Sequence, residues 1–127
     1  MIVTLDYDVK FEDFPKTFLF ALVSRYCEGK ECYVRRSANG RTHVKIMEDV
    51  EDFYKRITIR SLLFDDPARI SNDIRRHAMG KPTDRLFDIK GYDGVVKHAG
   101  EWIPLSFLAS PPTVNICQSK KTSRKRR

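Results

Sequence analysis

Residues 31–48, "ECYVRRSANGRTHVKIME", decide how this chain folds. They read as two short strands around a turn, with Ser37-Ala38-Asn39-Gly40 supplying the turn chemistry and Asn39-Gly40 the strongest hairpin dipeptide within it. Alternation sorts the two arms. On the first, Cys32 and Val34 share one face and Tyr33 and Arg35 the other. On the second, Thr42, Val44 and Ile46 alternate with His43 and Lys45. One face of the hairpin is built for a core and the other for solvent or a ligand.

Upstream, "DFPKTFLFALVSRYCEGK" predicts a helix. Asp13 suits the cap, Pro15 the first turn and Gly29 the stop, and Phe18, Leu19, Leu22, Val23 and Tyr26 recur on one face. Before it, "TLDYD" (residues 4–8) reads as a strand with Val3, Leu5 and Tyr7 toward the core and Thr4, Asp6 and Asp8 on the opposite side. Aspartate is depleted in strands, and two like charges about 7 Å apart repel. Such a pair is either a solvated strand end or a metal site.

Downstream, "DVEDFYKRITIRSLLF" predicts a helix with Asp49 as cap and Phe53 and Ile57 buried. "DDPARISNDIRRHAMG" predicts another, with Asp66 as cap, Pro67 in the first turn, Ile70 and Ile74 buried and Gly80 as stop. "DRLFDIKG" reads as a strand in which Phe87 and Ile89 alternate with Asp88 and Lys90, and "GYDGVVKHAGEWIPLSFL" as a hairpin or strand extension. The order is an α+β, ferredoxin-like (RRM-like) β-α-β-β-α-β sheet with helices on one face and an extra C-terminal hairpin. In that topology the first strand is central. Asp6, Asp8, Tyr33, Arg35, His43, Lys45, Asp88 and Lys90 then share the open face, and His43 and Asp88 flank the aspartate pair. Three converging carboxylates repel unless a divalent cation joins them, and the basic groups beside them suit a phosphate-bearing ligand.

This arrangement resembles the catalytic core of archaeo-eukaryotic primases and primase-polymerases. "LDYD" stands where that family has its Asp-x-Asp pair, "SANGRTHV" where it has a turn and a strand with histidine, and "LFD" where it has a third aspartate. The resemblance spans residues 2–90 in outline. It implies two-metal nucleotidyl transfer in DNA replication, with Asp6, Asp8 and Asp88 as catalytic groups holding Mg²⁺ or Mn²⁺. His43, with Arg35, Arg41, Lys45 and Lys90, would steady the incoming nucleotide's phosphates. Two departures stand out. The first aspartate falls at residue 6, so the subdomain usual before it is expected to be absent, and Arg41 stands where many members have serine. A minimal or degenerate core, of viral or archaeal type, fits both.

Other readings stay open. An open sheet face with Tyr33, Arg35, Lys45 and Lys90 suits a non-catalytic module that binds nucleic acid or protein, such as a viral inhibitor or a replication accessory protein. Asp88-Ile89-Lys90 also matches the D-x-K of metal-dependent nucleases, with Asp73 or Asp84 as partner. His77 reads as a solvated helix-end cation, Trp102 as packing or a cross-strand partner, and Arg69, Arg75 and Arg76 as a solvated helix face or a second phosphate ridge.

Bulk composition bounds these readings. The 127 residues fit one domain over 1–117 and a disordered basic tail over 118–127. Net charge is +7, and six of the cations (Lys120, Lys121, Arg124, Lys125, Arg126 and Arg127) lie in the closing "KKTSRKRR". Without them the body holds 18 basic and 17 acidic residues. The tail is therefore the expected contact to DNA or RNA, with Tyr33 a further candidate. No apolar run approaches the length of a membrane span, and the expected setting is cytoplasmic, with no membrane partner. "CEGKEC" lacks a second cysteine pair for closed zinc coordination, and free thiols are the expectation, with a local Cys27–Cys32 disulfide the alternative.

Overall fold

The computed structural model describes residues 1–92 and 94–109. The basic tail and Cys117 lie outside those residues. Strand β1 (Val3–Tyr7) leads through a 3-10 turn (Phe14–Lys16) and helix α1 (Phe18–Tyr26) to the hairpin β2 (Cys32–Arg36) and β3 (Thr42–Ile46). Both of β3's neighbours run antiparallel to it, so Val44 sits between Leu5 and Val34, and His43 between Asp6 and Arg35. The turn is as the dipeptide predicts. Gly40 takes a left-handed φ of +80°, its N–H donates to Ser37 O, and the Ser37 hydroxyl accepts from Arg41 N–H.

The apolar residues of these strands share one face, as alternation predicts, but Thr4, Arg35 and His43 on the other face are buried as well and Arg36 is exposed. Val3, Leu5, Tyr7, Val34, Val44 and Ile46 are buried in one core with Phe14 and Val23. Tyr7 also donates from its hydroxyl to Leu63 O at 2.6 Å, tying β1 to the end of the next helix. Cys27 and Cys32 are joined in a disulfide across a Cα separation of 6.4 Å, which corrects the expectation of free thiols and binds the end of α1 to the start of β2.

Helices α2 (Phe53–Leu62) and α3 (Pro67–Ala78) follow. The α2 cap is Asp52, which accepts from Tyr54 and Lys55 N–H, and not Asp49, which pairs with the N-terminal amine at 2.5 Å. Asp13 caps no helix with its side chain, because the 3-10 turn intervenes before α1 begins at Phe18. Asp66 caps α3 as its sequence predicts. The buried face of α3 differs from expectation. Asp73 points inward, while Ile70 is half-buried and Ile74 is 40% exposed.

The reason is a buried ionic network. Arg60, fully buried on α2, donates to Asp65 (2.7 Å), Asp73 (2.8 Å) and Asp84 (3.0 Å). Arg56 adds a bond to Asp84 at 3.2 Å and Arg69 one to Asp65 at 2.8 Å. Three arginines thus face three aspartates, so formal charge balances where water is excluded. Because α3 packs through these charges, Ile74 is left for the surface and Ile70 is only half-buried.

The remaining strands give the α+β fold a different order from the ferredoxin-like one. β4 (Ile89–Tyr92) and β5 (Val95–His98) pair only with each other, and β6 (Ile103–Pro104) joins β2, before a short helix α4 (Ser106–Ala109). The main sheet therefore runs β1-β3-β2-β6. β1, α1, β2 and β3 form one split β-α-β half. The strand expected beside β1 from "DRLFDIKG" is not there, and Phe87 and Ile89 are exposed. Instead the α2–α3 connection closes that edge. Asp65 accepts from Asp6 N–H at 2.7 Å, Asp66 N–H donates to Asp6 O at 3.3 Å, and Arg69 donates to Thr4 O at 3.1 Å. Among the described residues, no helix is long and apolar enough to cross a membrane.

Candidate functional site

β1, β3 and β2 carry a row of polar side chains on the sheet face expected to be open: Asp6, His43 and Arg35, one from each strand, of which His43 and Arg35 are covered and buried. Arg35 Nε donates to His43 Nδ1 at 3.0 Å. That bond leaves the imidazole proton on Nε2, which lies 3.8 Å from Asp6 Oδ1. Burial, reinforced by the Arg35 charge, pushes the His43 imidazole down to about 4, so it is neutral at pH 7. Burial likewise raises the Asp6 carboxyl, against the lowering pull of Arg69 and with Asp65 and Asp66 pushing the same way as burial.

Asp8 lies just past β1, 90% exposed, with Arg41 Nε 3.0 Å from its carboxylate. Asp88 is not where a third metal carboxylate was expected. It precedes β4, outside the main sheet, is 79% exposed, and meets Arg35 Nη1 at 2.6 Å. That guanidinium holds its carboxyl below the ordinary range. Asp88 therefore meets the row by a hydrogen bond to Arg35 and acts on His43 through its charge. Asp73 and Asp84, the partners a D-x-K nuclease would need, are occupied by Arg60 in the interior.

The other end of the face is aromatic and cationic. Trp102 packs its ring against Arg35 at 4.5 Å and Lys45 at 4.6 Å, and Lys45 also lies 5.4 Å from the Tyr33 ring centre. Trp102 thus covers open-face cations, and Tyr33 turns its hydroxyl to Glu31 at 2.8 Å. His77 is exposed and stacks flat on Phe53 at 4.1 Å.

Beside the row lies an open groove of about 1240 Å³. Asp6, Asp8, His43 and Arg41 line it from the sheet; Asp66, Arg69, Asp73, Arg75 and Arg76 line it from α3 and its cap, together with Arg85 and Lys90. Five of the predicted site residues thus meet in one groove (Asp6, Asp8, His43, Arg41 and Lys90), while Asp88, Arg35, Lys45 and Tyr33 do not line it. Among the described residues, no group of three or more His, Cys, Asp or Glu is placed to hold a metal ion. The site's dependence on Arg69 was the part least visible beforehand. Its sequence sign is the four-residue spacing of Arg69 from Asp65 before the helix and from Asp73 within it. Compared with known proteins, the chain matches no family model, no curated protein and no solved structure.

Proposed function

We propose that the chain is a nucleic-acid-associated protein whose open-face groove takes the phosphates of a nucleotide together with a divalent cation. The observation that carries this reading is the mixed lining of the groove: Asp6 and Asp8 from β1 and its end meet Arg69, Arg75 and Arg76 of α3, with Asp66 and Asp73 among them. Carboxylates alone would repel phosphate, and cations alone would need no carboxylates. Both together suit a phosphate–metal pair. Mg²⁺ and Mn²⁺ accept hard oxygen donors, and Mg²⁺ is commonly held by one or two carboxylates plus substrate phosphates and water. The raised Asp6 carboxyl supports the fit, since a cation beside it would offset its lost solvation. Neutral His43 presents Nε2–H as a donor, and Arg75 and Arg76 of α3 supply charge-assisted bonds to phosphate oxygens.

The resemblance to primase-polymerases extends this reading to nucleotidyl transfer on a variant ferredoxin-like sheet. One contact favours the binding alternative. A third carboxylate would have to come from Asp88, which is engaged by Arg35. Transfer would require that pair to open. We therefore read the chain as a minimal core that binds nucleotide, in which turnover depends on releasing Asp88.

Calorimetric titration of a nucleoside triphosphate with and without Mn²⁺ tests the proposal. Saturable binding that needs Mn²⁺ and is lost in Asp6→Asn is expected. Wild-type protein that binds no nucleotide at millimolar Mn²⁺ would overturn it.

A further inference from the structure

The β4–β5 ribbon lies outside the main sheet, and among the described residues its strands pair only with each other. Every residue of β5 is exposed. Two strands alone are marginally stable in water, so such a ribbon gains from a partner that lies along it. Its register identifies the partner's charge. Lys90 and Lys97 sit directly opposite each other across the ribbon and leave it on the same face. Like charges in that position repel, and neither lysine has an ion-pair partner among the described residues. An anion lying across the pair would turn the repulsion into attraction. Lys90 also lines the groove and lowers both Asp6 and His43 electrostatically, so the charged face of the ribbon continues the groove.

A second observation points to the form of the anion. Phe87, three residues before Lys90, lines the same groove with 60% of its surface exposed, and the Arg85 guanidinium lies 5.5 Å from its ring centre. An exposed ring backed by a cation is a surface on which an unpaired base stacks, whereas a duplex keeps its base faces covered. From these two features we infer that Phe87 and the Lys90–Lys97 rung form an arm for single-stranded nucleic acid, guiding the strand into the groove. The inference rests on the nucleotide-phosphate reading of that groove. Phe87 takes a base, and the rung takes the backbone phosphates on either side of it.

Fluorescence anisotropy of the full chain with labelled (dT)20 and (rU)20, over a salt series, tests the arm. Phe87→Ala is expected to weaken binding about tenfold with an unchanged salt slope. Lys97→Gln is expected to weaken binding and reduce the slope by about 0.7, one phosphate contact on a single strand. Lys97→Glu separates binding from ribbon stability. Opposite charges across the rung slow amide exchange over 89–98 while affinity falls further. A ribbon that serves only packing would give binding unaffected by that change. Stronger binding of (dT)20 or of (rU)20 assigns the sugar, and either supports the arm. Affinities within twofold of wild type for both Phe87→Ala and Lys97→Gln would overturn it. The Mn²⁺-dependent nucleotide titration, repeated on Lys97→Gln, distinguishes loss of the arm from failure of the groove reading, because Lys97 lies outside the groove lining.

Discussion

Arg35 donates to the imidazole of His43 at 3.0 Å while its other end holds Asp88 at 2.6 Å. One guanidinium thus sets the tautomer of the site histidine and engages the carboxylate that metal chemistry would need. Its position follows from register, since Arg35 and His43 are cross-strand partners on the open face.

His43 makes stability depend on pH in a definite sense. Its native value near 4 lies below the ordinary 6.5, so below pH 6.5 the unfolded chain takes up a proton that the native state refuses. Stability is fully present above pH 6.5 and declines as pH falls toward 4, by up to about 3 kcal/mol from this group. The depressed Asp84 carboxyl adds to the loss at more acidic pH, and the raised Asp6 carboxyl opposes it. Urea melts of wild type and His43→Asn at pH 7 and 4.5 isolate the histidine. The wild type should lose more stability than the variant between the two values; equal losses would show that His43 titrates normally.

Arg60 holds three buried aspartates together, and truncating it leaves their charges uncompensated. Arg60→Ala should cost about 3–5 kcal/mol, the range for breaking a buried ion pair from one side. Because Asp65 also accepts from Asp6 N–H, the loss should reach the β1 edge and weaken nucleotide binding. A denaturant midpoint within the equivalent of 1 kcal/mol of wild type would mean that water or repacking replaces the network.

The Cys27–Cys32 disulfide closes a short loop, with a sequence separation of five. Chain-entropy arithmetic for so small a loop gives about 2 kcal/mol. Dithiothreitol should lower the melting temperature of the wild type and leave the Cys27→Ser/Cys32→Ser double variant unmoved. A wild-type melt insensitive to the reductant would mean that the bond contributes little to stability.

Alternation made strands β1, β2 and β3 legible, because period-two patterning leaves little choice of face once Leu5, Val34 and Val44 are buried. The row Asp6, His43, Arg35 follows from the same rule. The helices were harder for a physical reason. The inward stripe of α2 is Phe53, Arg56, Ile57 and Arg60, in which half the positions are charged, and α3 buries Asp73 in preference to Ile74. A search for apolar periodicity assigns such residues to solvent. Asp88 was misplaced because four alternating residues describe an exposed ribbon as well as a sheet strand, and nothing local says what the strand pairs with. Trp102 escaped notice as a site residue because its partners, Arg35 and Lys45, are distant in sequence.

Asp6 and Asp88 separate the two accounts of the carboxylates. If Asp6 and Asp8 bind the cation with the nucleotide's phosphates, Asp6→Asn abolishes Mn²⁺-dependent nucleotide binding, while Asp88→Asn leaves it in place and frees Arg35. If all three form one metal centre, both variants abolish it. Melting curves give the readout without requiring turnover. A ligand that binds only the native state at a hundredfold excess over its Kd stabilises by about 2.7 kcal/mol. Wild type with Mn²⁺ and nucleoside triphosphate should show that rise, Asp6→Asn should not, and Asp88→Asn should retain it. Without metal, Asp6→Asn should melt at or above the wild type, since the replaced carboxylate is one whose charge burial and the neighbouring Asp65 and Asp66 disfavour. Loss of the nucleotide-dependent rise in Asp88→Asn would show that Asp88 leaves Arg35 to join the cation, and would restore the three-carboxylate centre that the primase-like pattern implies.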